Sequence, residues 1–206
     1  MIDAEKLSPG ERDALREIAN IGAGHAATAL SQMTGRKIMI AVPEVEIRRL
    51  EDAAELIGPA DTIVAAVLMH MMGDLTGRTL LVLPEASART LCGILIRKPE
   101  APTGFSEMQR SAIMETGNIL CSAYLNALSD FMGMMLLPSV PALVVDQAGA
   151  VLTTAYLNFG HARDFVICVE TAFEIAGSDE VVQGQFILMP DVASLTAIFD
   201  AINLPK

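Results

Sequence analysis

ERDALREIANIGAGHAATALSQMTG, residues 11–35, and MQRSAIMETGNILCSAYLNALSDFMG, residues 108–133, decide the reading of this chain. Each holds a carboxylate and a carboxamide three residues apart: Glu17 with Asn20, and Glu115 with Asn118. Both members of the second pair lie 98 residues beyond their counterparts in the first. Residues three apart on a helix share one patch of its surface. Two such pairs in register predict two equivalent polar sites on a duplicated scaffold.

The flanks repeat with the same offset. Ser8, Pro9 and Glu11 form a helix start: an N-cap serine, proline at the first helical position and an acid at the third. They predict a helix from Pro9 to Met33 that stops before Gly35. Ser106 and Gln109 form the matching box, and Gly133 the matching stop. A strand at Lys37–Val42 runs to Pro43, and Met134–Val140 runs to Pro141. A connecting stretch follows, with a short helix near Glu51–Ile57. Ile63–Met72 and Arg78–Leu83 then flank GDLTG as a hairpin, as Phe165–Ile175 and Gln185–Met189 flank AGSDEVVQG. Each half closes with a helix, PEASARTLCGILI and PDVASLTAIFDAI.

The repeats therefore run over residues 8–97 and 106–203, with KPEAPTG, residues 98–104, as the linker. The apolar runs read as buried on both faces. The sequence predicts one compact α/β domain of the α+β type over residues 1–206, built from two pseudo-twofold-related repeats. Each repeat is a long exposed helix plus strands and a hairpin.

Composition narrows the function. At 52% hydrophobic the chain has ample core material. A net charge of −11 argues against nucleic acid and against anionic membrane surfaces, since phosphate binding needs clustered Lys and Arg. Cys92, Cys121 and Cys168 are far apart and odd in number, which fits reduced thiols in a cytoplasmic protein. MIDAEKLSPGERD at the N-terminus lacks the apolar stretch of a signal peptide. The apolar run Thr62–Met72 is too short to span a bilayer.

On a helical wheel Asp13, Glu17, Asn20 and Gly24 form one stripe opposite Leu15, Ile18, Gly22, Ala26 and Ala29. Ser111, Glu115, Asn118 and Ser122 form the other, opposite Ile113, Leu120, Tyr124 and Ala127. Both stripes face outward on this reading. A solitary Glu-x-x-Asn on a helix is ordinarily a solvated face; the pairing of two in register gives it weight. Gly22-Ala-Gly24 lacks the Lys-Ser/Thr ending of a phosphate loop. His25, His70 and His161 have no partners at metal-ligand spacing, so no metal site is predicted. No Gly-x-Ser-x-Gly elbow occurs.

The pattern Asp/Ser-x₃-Glu-x₂-Asn-x₂₂-Pro is met twice, by Asp13, Glu17, Asn20 and Pro43 and by Ser111, Glu115, Asn118 and Pro141. With the run NIGAGHAATALSQMTG it resembles the CheC family of chemotaxis phosphatases over nearly the whole chain. The resemblance implies hydrolysis of the phospho-aspartate of a CheY-type response regulator. Asn20 and Asn118 would orient the attacking water, and Glu17 and Glu115 would anchor the receiver. Asp13 and Ser111 would be supporting positions, and Pro43 and Pro141 would shape the strand ends. The chain would need no cofactor of its own, the Mg²⁺ belonging to the receiver. CheD, a receptor glutamine deamidase, is a further implied partner. The alternative is a non-enzymatic binding module, like the flagellar-switch middle domains of FliM and FliY, or a CheD-binding adaptor. Those relatives are expected to carry extra domains, and FliM-like modules to lack the Glu–Asn pairs.

Overall fold

The computed structural model describes residues 8–49, 52–96, 104–157, 165–175 and 181–203. In chain order its elements are α1 (Pro9–Thr34), β1 (Ile38–Ala41), β2 (Val45–Arg49), α2 (Ala54–Ile57), β3 (Ile63–Gly73), β4 (Gly77–Pro84) and α3 (Glu85–Ile96). Then come α4 (Glu107–Met132), β5 (Leu136–Pro138), β6 (Ala142–Gln147), α5 (Ala148–Leu157), β7 (Phe165–Ile175), β8 (Val181–Pro190) and α6 (Val192–Asn203).

Side chains fix both ends of the two long helices. The Ser8 hydroxyl accepts from the Glu11 amide, and the Glu11 carboxylate accepts from the Ser8 amide. Ser106 and Gln109 do the same for α4. These bonds satisfy donors that every helix start leaves open. At the far ends Gly35 and Gly133 take φ of 65° and 66°, where a Cβ would be strained. One turn before each stop a serine ties the helix to the chain that follows it. The Ser31 hydroxyl accepts from the Ile38 amide at 2.9 Å, and the Ser129 hydroxyl donates to the Met134 carbonyl.

The eight strands among the described residues form one sheet in the order β1-β7-β8-β4-β3-β5, with β2 also on β7 and β6 also on β3. The leading strands of each half thus pair with the hairpin of the other half, and neither half can complete its sheet alone. The registers agree in detail. Ala41 faces Ala172 and Val45 faces Val169, so four steps on the edge match three on β7. Pro138 faces Met71 and Ala142 faces Leu68, giving the same one-residue bulge. Pro43 and Pro141 sit in these interruptions, where a missing N–H costs no ladder bond.

Successive residues alternate between two cores. From β3, Ala65, Val67, Met69 and Met71 point to the layer of α1, α3, α4 and α6; Val64 and Ala66 point to the layer of α2 and α5. Burial on both faces explains why the strands read as unbroken apolar runs.

Several elements depart from the sequence reading. The first strand of each half is shorter, Ile38–Ala41 and Leu136–Pro138. The strands β2 and β6 and the helix α5 were not anticipated. The last hairpin strand begins at Val181, so the end of AGSDEVVQG is strand; residues 176–180, like most of the linker at 98–103, lie outside the described residues. The helices are also less exposed than predicted, α4 above all, which buries residues from Gln109 through Leu128.

Candidate functional site

α1 packs on α4 and on the sheet through Leu15, Ile18, Ala19, Gly22, Ala23, Ala26 and Leu30, all buried. That fixes which residues face solvent. Asp13, Glu17, Asn20 and Gly24 are all exposed on the opposite face. On α4 the buried face includes Ile113, Thr116, Gly117, Leu120, Cys121 and Tyr124. Ser111 and Glu115 are exposed, whereas Asn118 and Ser122 are half-buried. The predicted outward stripe is therefore fully open on α1 and partly sunk on α4. The reason is that α4 buries more of its circumference, including Leu125, which lies two turns beyond Asn118 on the line of the stripe.

The side chains of Glu17, Asn20, Glu115 and Asn118 make no hydrogen bond or ion pair to another described residue. Each is thus free to engage an incoming group, on a helix whose backbone is fixed at both ends. The two prolines belong elsewhere: Pro43 is exposed and Pro141 half-buried, both in the edge bulges and not on the helices. They bear on the site only through the strands that seat the helices.

The sequence reading left out Ile21. It is 43% exposed and stands one turn beyond Glu17, beside Asn20. Its counterpart Ile119 is half-buried and packs against the core. The signal was available: an apolar residue at i+4 from Glu17 falls on the polar stripe.

An amide and a carboxylate on one ridge can do two things. A carboxamide both donates and accepts hydrogen bonds, so it can aim a water molecule. A carboxylate free of intramolecular partners can pair with a cation on a docking protein. Among the described residues no group of three or more His, Cys, Asp or Glu could hold a metal ion. No described helix is long and apolar enough to cross a membrane.

The fold is that of the flagellar-switch and chemotaxis modules. The crystal structure of Thermotoga maritima FliY superposes with a TM-score of 0.79 at 23% identity, covering 95% of this chain and 97% of that one. The FliM middle domain from H. pylori superposes at 0.60 with 16% identity, over 95% and 99% of the two chains. In sequence, a model of the CheC-like family matches residues 11–47 and 108–145, which enclose both Glu–Asn pairs and both prolines. The CheY-P phosphatase CheC of Bacillus subtilis (strain 168) is 33% identical over 196 residues, 94% of each chain. The flagellar motor switch phosphatase FliY of the same organism is 29% identical over 62% of this chain and 33% of its own. The chain belongs to the CheC-like family.

Proposed function

We propose that this chain dephosphorylates the phospho-aspartate of a CheY-type response regulator in chemotaxis signalling. The observation that carries the reading is the pair of ridges: a carboxylate and an amide on each of two capped helices, with no partner among the described residues. The 33% identity to a CheY-P phosphatase supports the same substrate class.

In this reading a ridge docks over the receiver's phosphorylation site. Glu17 or Glu115 accepts hydrogen bonds from a receiver lysine and holds the two proteins in register. The amide oxygen of Asn20 or Asn118 accepts a hydrogen bond from a water molecule and turns its lone pair toward phosphorus. The water oxygen bonds to phosphorus, the bond from phosphorus to the aspartyl oxygen breaks, and inorganic phosphate and a carboxylate are released. Positioning and charge stabilisation supply most of the catalysis in such transfers. The Mg²⁺ that neutralises the phosphoryl oxygens belongs to the receiver, and this chain supplies no cofactor. Asp13 and Ser111, one turn before each Glu, support the docking face. CheD is a second proposed partner on family grounds, tested by calorimetry with purified CheD.

The function is tested by following phosphate release from a phosphorylated CheY-type receiver with and without this chain. Faster release supports the phosphatase. Binding with no change in release supports the adaptor reading, which the FliM-like fold also permits.

A further inference from the structure

We infer that the two sites are mechanically unequal and that the Asn118 site carries most of the turnover; this rests on the phosphatase reading above. Matched positions lie 98 residues apart on the long helices, and 102 apart on the strands β3 and β7 beneath them. On this scheme Gly117 of α4 corresponds to Ala19 of α1, and Val67 of β3 to Val169 of β7. The two contacts differ. Gly117 sits so close to the sheet that a Cβ built on it would lie 2.6 Å from Val67 Cγ1 and 2.7 Å from Val67 Cβ. There is no room for a methyl group between α4 and β3. At the matched place Ala19 and Val169 instead line an apolar cavity of about 40 Å³, with Leu15 and Ile18 beside Ala19 and with Tyr124, Leu125 and Leu128 of α4 closing its far side. A void removes packing partners from the atoms that line it. On α1 the lining residues Ile18 and Ala19 are the ones next to Asn20, whereas on α4 the lining begins at Tyr124, six residues beyond Asn118.

The solvent side follows the same trend. Asn118, Ile119 and Ser122 are half-buried, whereas Asn20, Ile21 and Gly24 are exposed. The Asn118 amide is therefore confined from below by a seated helix and from the side by its neighbours. Asn20 is exposed, and the tight contact of its helix, Gly22 on Tyr124, lies two residues further along. A group that must aim a water molecule needs its geometry held to about 0.5 Å. Displacement of about 1 Å can cost about 10²-fold in rate. Val67 acts as a positioning residue through Gly117, and the cavity beneath Ala19 leaves Asn20 without the equivalent support. The α1 ridge keeps its exposed docking face and loses rate, not affinity.

The experiment uses the whole chain and a CheY-type receiver phosphorylated with acetyl phosphate. Asn20→Ala is expected to retain more than about half of wild-type kcat, whereas Asn118→Ala falls by about fivefold or more with KM within about twofold. Equal losses, or a larger loss for Asn20→Ala, overturn the inequality and leave the phosphatase standing. Full activity in the doubly substituted protein shows that neither amide aims the water and overturns the inequality with it, whereas a wild-type chain that does not speed release overturns the phosphatase reading itself. A second arm fills the cavity. Val169→Ile in the Asn118→Ala background is expected to raise the residual kcat, with Val45→Ile filling it from β2 if Val169→Ile does not fold. A residual kcat that does not rise in a folded variant overturns the positioning argument.

Discussion

Gly22 of α1 packs directly on Tyr124 of α4. A Cβ built on Gly22 would stand 2.5 Å from Tyr124 Cδ1 and 3.0 Å from Tyr124 Cα. The helices that carry the two ridges are thus in contact through a position where only hydrogen fits. Gly22→Ala should gain up to about 1 kcal/mol in helix propensity. Overpacking costs about 1–3 kcal/mol, and the Tyr124 backbone cannot rotate away, so the strain wins. The expected result is a lower denaturation midpoint with an unchanged m-value. A midpoint at or above wild type contradicts this packing.

Charge reversal probes docking apart from stability. Glu17→Lys and Glu115→Lys replace exposed side chains that have no partner among the described residues, so stability should stay within about 0.5 kcal/mol. Affinity for a phosphorylated or beryllofluoride-bound receiver should fall, most in the double variant. Titration calorimetry that finds the wild-type Kd for both single variants and for the double variant removes the anchoring role.

The sequence exposed what local chemistry determines. The capping boxes at Ser8 and Ser106 and the stops at Gly35 and Gly133 are written in side chains within a few residues of the event they cause. The Glu–Asn spacing placed four side chains on two helix faces for the same reason. What it did not expose depends on distant pairing. Val45–Arg49 reads Val-Glu-Ile-Arg-Arg and becomes β2 because β7 offers it a partner. Ala142–Gln147 becomes β6 along β3 in the same way. Ala148–Leu157 opens on Ala-Gly with no capping side chain, and its helix is fixed by burying Val151 and Leu152 beside Ile57 of α2. The sinking of Asn118 is likewise a packing effect, set by Gly117 on Val67 and invisible in a repeat whose spacings match.

Asp191 gives a pH signature away from the site. Burial pushes its carboxyl up, but hydrogen bonds from the Thr76 hydroxyl and from Ser194 and Ala193 outweigh that and hold it below the usual carboxylate range. One carboxylate oxygen accepts from the Ser194 amide at 2.7 Å, capping α6. A carboxyl lowered by folding stabilises above its unfolded pKa, and that stability is lost as pH falls through the folded value. Asp191→Ala should cost about 1 kcal/mol at pH 7. The difference from wild type should shrink below about pH 4, where the unfolded carboxyl protonates. A difference that is flat from pH 7 to pH 3 contradicts the assignment.

The three thiols should be silent in the folded protein. Burial pushes Cys92 and Cys121 up to about 11 and Cys168 up to about 12, the last helped by Glu46. Thiolate is the reactive form, so little is present at pH 8. An aromatic disulfide reagent at pH 8 should label none of the three before unfolding and all three in denaturant. Rapid labelling of the native protein contradicts their burial.

The most direct measurement removes both amides at once. Asn20→Ala combined with Asn118→Ala leaves both helices capped and both carboxylates in place, and circular dichroism should match wild type. With a phosphorylated CheY-type receiver in excess, phosphate should then appear only at the receiver's own rate, while binding of the receiver persists. Release as fast as with the wild-type chain would mean that neither amide aims the water.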